Sequence, residues 1–345
     1  MVKMASKFTF GANIAARLRR LAVIAFGLVL GLALALPAHA AGESKGKKVA
    51  LLMTIMTTPY VAALAKAFQD RAPFHGMEVT LFAAQYDAAL QAQQIDDAIA
   101  RKFDVLVLMS AGESAVVPSM TRAKAAKIPV IMVNNVPKDG TEDLYVTFVG
   151  QDQVLLGRAA AEAVSNGLKA SGRKLGKVAA ITGFLSSGAA IRRNAGFKEA
   201  VKKFSNIDLQ AVEDGRWDTA TSEKVAGQLY ARFAGRGGLD AVYGMADNQA
   251  VAAIRAAEAA GVKVGYGSPK ELVVVGGNCL KEGIDSIKAG KLFATFSQIP
   301  TDLGVKTADT VNDYFSGKKL PKLMLLPVEL ITKANVAQWE TKCTY

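Results

Sequence analysis

Short apolar runs alternate with stretches of helical spacing from Lys47 to Thr332, and no other feature of the chain restricts its fold so much. KKVALLM, MEVTLFAA, DVLVLM and IPVIMVN read as strands, three of them apolar almost throughout, as strands buried on both faces are. Between them TTPYVAALAKAFQDRA, YDAALQAQQIDDAIARKF and SAVVPSMTRAKAAK carry helical spacing; Leu90, Ile95 and Ile99 are among the apolar positions of the second. Repetition of strand and helix predicts a parallel sheet covered on both sides. The pattern pauses near YVTFVGQDQ and restarts. LLGRAAAEAVSNGLKA, KVAAITG, RRNAGFKEAVKKF, IDLQAVED, TATSEKVAGQLYARF, LDAVYGM, NQAVAAIRAAEAA and ELVVVGGN again alternate helix and strand. CLKEGIDSIKAG predicts a helix, KLFATFSQ a strand, IPTDLGVKTADTVNDYFSG a helix and LMLLPVELIT a final strand. Two α/β halves of similar size predict two lobes, each a doubly wound parallel sheet. No Gly/Ser-rich or Pro-rich tether lies between them, so strand-like crossovers are expected to join them.

The first forty residues read differently. Lys3, Lys7, Arg17, Arg19 and Arg20 precede the uncharged run LAVIAFGLVLGLALAL, and Ala38 and Ala40 then form an A-x-A cleavage pattern. That order defines a secretory signal peptide over residues 1–40, cleaved near Ala40. The apolar run is a little short of the ~20 residues a membrane span needs. Arg19-Arg20 resembles a twin-arginine export pair, though its flanking residues fit poorly. The formal charge of +12 suggests nucleic acid at first sight, but residues 1–40 hold five basic residues and no acid, which leaves +7 on the exported chain. A moderately basic exported protein is ordinary and meets no DNA, so no nucleic-acid partner is expected.

Export bears on the cysteines too. Cys279 and Cys343 are the only two and lie 64 positions apart. Outside the cytosol such a pair tends to oxidise, and a disulfide is favoured over two buried thiols. Of the two histidines, His39 leaves with the signal, so only His75 remains, in RAPFHGMEV, where it reads as a solvated turn residue. One histidine supports neither a Ser-His-Asp or Cys-His nucleophile system nor a His/Cys metal site. No catalytic residue, metal or cofactor is expected.

In open parallel sheets, ligands sit in the crevice at the carboxyl ends of the strands. Those positions are Thr54 to Tyr60, Asn134-Asn135, the loop Gly183–Arg193, Trp217-Asp218, Met245–Asp247, Asn278 and Gln298. Amides, hydroxyls, one arginine and two aromatic rings suit a polyhydroxylated ligand, bonding its hydroxyls and covering its C–H faces. Each residue also has a structural alternative. Trp217 can cover the core, Asn134 and Asn135 can cap a turn, Tyr60 can staple a helix, Asn278 can serve a turn, and Asp247 is better read as an N-cap. TGFLSSGAAIRR lacks the G-x-x-x-x-G-K-[ST] of a phosphate loop, and GLKASGRK has Arg173-Lys174 where Lys-Ser/Thr is required. The loop is therefore expected to wall a pocket. Arg193 would face it; Arg192, its neighbour, would be a solvated surface charge.

ALLMTIMTTPYVAALAKAF, IPVIMVNN, the R-x-x-G-F of Arg193–Phe197, DGRWDTATS, AVYGMADNQAVAAIRA, VVVGGN and GKLFATFSQIPTDLG occur in this order. Together they resemble the ribose- and galactose-type periplasmic sugar-binding proteins, over nearly everything from Lys47 to Thr332. Lactose-repressor-type regulators share this core but begin with a DNA-binding helix-turn-helix. The resemblance implies an α/β type I periplasmic binding fold with three hinge crossovers. Its first lobe would span 41–150 plus 299–328 and its second 151–298 plus 329–345. It also implies an extracytoplasmic receptor that closes on a small-molecule ligand and hands it to an ABC permease in the inner membrane; a monomer is the default expectation. A ligand sensor working with a chemoreceptor would share the fold, and a secreted enzyme is a third possibility.

Carried over by position, the pocket would use Thr54, Thr58, Tyr60, Asn134, Asn135, Arg193, Trp217, Asn278 and Gln298. Arg193 and Gln298 match the ribose-type pattern, and Trp217 keeps an aromatic where Phe is usual. Asn134-Asn135 replaces an Asp-Arg pair, Asn278 an Asp, Ala246 an Asn, and Val61 a second stacking aromatic. Two carboxylates that accept sugar hydroxyls are thereby lost, and Arg193 is left without an acidic partner. The ligand is expected to be a sugar acid, a modified sugar or polyol, or another small polar molecule rather than a plain pentose.

Overall fold

A computed structural model describes residues 43–345. The expected signal peptide, with Arg19-Arg20 and His39, lies outside the described residues. Among the described residues twelve strands form two six-stranded sheets. The first sheet contains β1 (Lys48–Met53), β2 (Glu78–Ala83), β3 (Val105–Leu108), β4 (Val130–Val133), β5 (Thr147–Gly150) and β11 (Leu323–Leu325), in the order β11-β5-β4-β3-β1-β2. All its pairings are parallel. The second contains β6 (Gly176–Thr182), β7 (Ile207–Asp214), β8 (Ala241–Gly244), β9 (Val273–Val275), β10 (Ala294–Phe296) and β12 (Leu330–Thr332), ordered β12-β10-β9-β8-β6-β7. Only β12 runs antiparallel to its neighbour.

The central strands are apolar because both faces are covered. β1, β3, β4, β8 and β9 are buried along almost their whole length. Helices α1 (Pro59–Arg71), α2 (Ala88–Ala100), α3 (Val117–Ala125) and α9 (Pro300–Phe315) accompany the first sheet. Helices α4 (Gln153–Ala170), α5 (Gly188–Val201), α6 (Thr219–Ala234), α7 (Asp247–Ala259) and α8 (Lys281–Lys288) accompany the second. Two hydrophobic clusters pack each sheet, one per face. In α2, Ile95 is fully buried, whereas Leu90 is exposed.

The chain passes between the sheets three times: at Gln151-Asp152, at Ser297–Ile299, and at residues 326–329. The last passage corrects the reading of LMLLPVELIT as one strand. Pro327 lacks an N–H and interrupts the ladder, so the segment divides into β11 and β12, which join different sheets. KLFATFSQ likewise yields only the three residues of β10, because Ser297 and Gln298 belong to a crossover. The passages are tied side by side: Gln298 Nε2 donates to Gln151 Oε1 at 3.0 Å, and Glu329 N to Ser297 Oγ at 2.7 Å.

His75 is not a solvated turn residue. Its Nε2 lies 2.6 Å from Asp309 Oδ1, which also accepts from Arg71 Nε at 2.6 Å. The imidazole thus pins the turn after α1 to α9.

Candidate functional site

Carboxyl ends of strands from both sheets face one cavity. It is lined by Thr58, Pro59, Tyr60, Val61, Tyr86, Asn134 and Asn135 from the first lobe, and by Ala189, Arg193, Trp217, Ala246, Asn248, Asn278 and Gln298 from the second lobe and its crossover. Its empty volume is about 470 Å³, mouth included. Eight of the nine residues carried over from the resemblance line it together. Thr54 is the exception, and its placement corrects that expectation. It is fully buried behind the wall, its hydroxyl 3.4 Å from Met109 Sδ, and its carbonyl accepts from Tyr86 N at 2.9 Å.

Arg193 is placed by two glycines. Helices α4 and α5 cross so closely that a Cβ on Gly157 would sit 2.0 Å from the Arg193 carbonyl oxygen, and one on Gly196 2.1 Å from that of Val154. This contact sets Arg193 against Gln153, the first residue of α4. Its Nε and Nη2 donate to Gln153 Oε1 at 3.0 and 2.6 Å, Nη1 to the Met245 carbonyl at 2.6 Å, and Nη2 also to Gln298 Oε1 at 3.0 Å. Only 3% of Arg193 is exposed, and burial lowers its pKa. No described carboxylate lies within 4.0 Å of it, as the departures from the ribose-type pattern imply.

Around it the amides form a chain. Gln298 Oε1 also accepts from Asn278 Nδ2 at 2.8 Å, which leaves Asn278 Oδ1 buried without a partner. Thr58 occupies the N-cap position of α1, yet its hydroxyl makes no cap bond and is likewise buried without a partner. An N-cap threonine ordinarily spends its oxygen on the helix; this one is left free beside the cavity. Tyr60 hydroxyl donates to Asn134 Oδ1 at 3.2 Å, and Asn135 Nδ2 to the Ser110 carbonyl at 2.6 Å. Asn134 and Asn278 adopt left-handed backbone, φ 59° and 101°. Turn geometry and cavity lining therefore coincide at both residues.

Trp217 also has positive φ, 56°, and its indole lies flat on Gly183, where a Cβ would meet the ring at 1.7 Å. The guanidinium carbon of Arg193 is 5.6 Å from the indole centroid. Tyr86 and Asn248 were not singled out from the sequence. Tyr86 lies three residues beyond the end of β2, in the loop at its carboxyl end, and that position is the signal for it. Burial pushes its hydroxyl up to about 12, so it remains a neutral donor. Asn248 Nδ2 donates to the Trp217 carbonyl at 3.0 Å and holds the indole in place.

Two further expectations require correction. Arg192 is not a solvated surface charge: it reaches across the cavity mouth, its Nη2 3.0 Å from Asp139 Oδ1, 2.9 Å from the Pro137 carbonyl and 3.7 Å from Glu113 Oε2. Adjacent helical residues do face different ways, but here both directions meet the opposite lobe or the cavity. Tyr86 and Phe184 close the same mouth with ring centroids 4.2 Å apart. Asp247 does not cap α7. It is the helix's first residue and fully buried, accepting from Leu280 N at 2.8 Å and Thr295 Oγ1 at 2.6 Å. Burial raises its carboxyl to about 7. It secures the backbone that presents Asn278 and Cys279. In that same loop Cys279 is paired in space with Cys343, Cα to Cα 5.1 Å, a separation a disulfide spans.

Among the described residues no group of three or more His, Cys, Asp or Glu is placed to hold a metal, and no helix is long and apolar enough to cross a membrane.

Two parallel-sheet lobes, three crossovers and an interlobe cavity define a binding protein of the type I periplasmic fold. The model of the periplasmic binding protein domain matches residues 49–319, and the chain belongs to that family. It is 27% identical over 293 residues to the ribose import binding protein of Bacillus subtilis, covering 85% of this chain and 89% of that protein. With the D-allose-binding periplasmic protein of Escherichia coli it shares 29% identity over 303 residues, 86% of this chain and 92% of the other. The solved structure of a galactofuranose binding protein superposes with a TM-score of 0.80 at 20% identity, covering 86% of this chain and 98% of that one.

Proposed function

We propose that this chain is the extracytoplasmic solute-binding component of an ABC importer, taking a small polyhydroxylated ligand between its lobes and releasing it unchanged to a membrane permease. The observation that carries this reading is the composition of the cavity. Neutral amides, a free threonine hydroxyl, one guanidinium and a flat indole surround the interlobe cavity, with strand ends of both lobes contributing. Such a wall bonds hydroxyls and covers C–H faces. A wall of this kind suits holding a ligand, which is expected to leave unconverted. The names of the ribose and allose relatives point the same way.

Binding proceeds by hinge closure. Gln298 connects the two ends of this motion: its side chain bonds Arg193 and Asn278 at the cavity and Gln151 in the neighbouring crossover. Lobes 41–150 plus 299–328 and 151–298 plus 329–345 would turn about these crossovers. The oxidised Cys279–Cys343 pair and cleavage near Ala40 fit a monomer working in the periplasm. An affinity near 1 μM corresponds to about −8 kcal/mol, within reach of several hydrogen bonds and one ring stack. Calorimetry against sugars, polyols and sugar acids, with each ligand recovered and weighed by mass spectrometry, tests the reading. Saturable binding with the ligand recovered intact supports it; conversion of any ligand refutes it. A pull-down against the cognate permease or a chemoreceptor separates import from sensing.

A further inference from the structure

We infer that the ligand carries a carboxylate, which meets the buried guanidinium of Arg193. This rests on the reading of the cavity as a ligand site and narrows it to polyhydroxylated acids.

The inference starts from how the other arginines are treated. Arg173, whose side chain is 9% exposed, lies 2.8 Å from Asp240; Arg192, at 20%, has Asp139 and Glu113. Arg71, Arg158 and Arg255, all more exposed, also have acidic partners. Arg193 is more deeply buried than any of these, and its acceptors are two glutamine oxygens and a carbonyl. Those four bonds use at most four of its five N–H groups and do not neutralise its charge, and a buried charge is ordinarily paired.

The cavity cannot supply the counter-charge itself. None of its fourteen lining residues is an Asp or Glu. Asp87, Asp218 and Asp247 each adjoin a lining residue, but all three lie outside that lining and are already engaged: Asp87 and Asp218 accept from backbone N–H groups in the first turns of α2 and α6, and Asp247 from Leu280 N and Thr295 Oγ1. The lining thus carries a single unopposed positive charge, and a ligand with one negative charge restores neutrality when the lobes close. A phosphate brings about −1.5 to −2 charges and three acceptor oxygens, too much for one guanidinium, whereas a carboxylate matches it in charge. The rest of the wall fits the other end of such a molecule. Asn278 Oδ1 and Thr58 Oγ1 are buried without partners and available to hydroxyls, and Trp217 offers its ring face.

The test is calorimetry at pH 7.5 on matched pairs that differ in the acid group: D-galacturonate with D-galactose, D-gluconate with D-sorbitol, and D-ribonate with D-ribose. The inference expects an acid to bind at least about tenfold more tightly than its neutral partner, a difference that falls below about threefold in R193Q. The comparison within pairs on the unaltered protein stands whether or not R193Q folds. Neutral members binding as well as or better than the acids overturns the inference and leaves the solute-binding function intact. Absence of binding by every member of the panel overturns both.

Discussion

Arg193 concentrates the chemistry of the cleft. Its four hydrogen bonds tie helix α5 to α4, to the strand end at Met245 and to the crossover residue Gln298. Arg193→Ala is expected to weaken ligand binding by about 2 kcal/mol or more, since a buried charged contact is lost; calorimetry checks it. Asp247 contributes to the pH dependence of stability. Burial lifts its carboxyl from 3.8 to about 7, so the folded state holds this proton more tightly than the unfolded chain. The resulting stabilisation is complete below about 3.8 and disappears as pH rises through about 7. Urea unfolding between pH 5 and 8 is expected to show stability falling with pH in the native protein, with that fall reduced in Asp247→Asn. Parallel curves would contradict the assignment. At this scale the sequence displayed strand-end residues well, because a residue's position after a strand is local information. It could not display Asp247's partners, Leu280 and Thr295, which come from two later elements.

Elements matter through the α4–α5 contact and the C-terminal tail. Gly157→Ala would drive a methyl into the Arg193 carbonyl, a backbone atom with no room to yield. Overpacking of this kind costs about 1–3 kcal/mol, and because it displaces Arg193 the variant is expected to lose affinity as well as stability. Thermal unfolding and calorimetry on the same sample read both; a variant unchanged in each would show that α5 is not held there. The proposed Cys279–Cys343 disulfide would close a loop of 64 residues beside Asn278. Replacing both cysteines with serine is expected to lower unfolding free energy by about 4 kcal/mol on the chain-entropy account, measured in urea without reductant. The alternation of strand and helix was legible because burial on both faces writes itself into the composition of each strand. The division of LMLLPVELIT was not, since both halves are rich in apolar residues and Pro327 is the one local mark where one sheet ends and the other begins.

For the whole molecule, the question is what holds the lobes together. Across the mouth run the Tyr86–Phe184 ring contact and the Arg192–Asp139 pair, in which Asp139 is 88% exposed. An ion pair so open to solvent contributes about 0–1 kcal/mol. Arg192→Ala is accordingly expected to weaken ligand affinity by no more than about threefold, with the difference shrinking in high salt. Which second-lobe residues meet the first lobe depends on the closure geometry, which no local pattern encodes; Arg192 therefore reads as an ordinary surface charge from the sequence. The central claim is that two rigid halves close on a ligand that leaves unaltered. Small-angle X-ray scattering, on protein first stripped of bound ligand and then titrated with the compound that calorimetry finds to bind, addresses it most directly. The account predicts a saturable decrease in radius of gyration that tracks the binding curve; a scattering profile unchanged at saturation would contradict it.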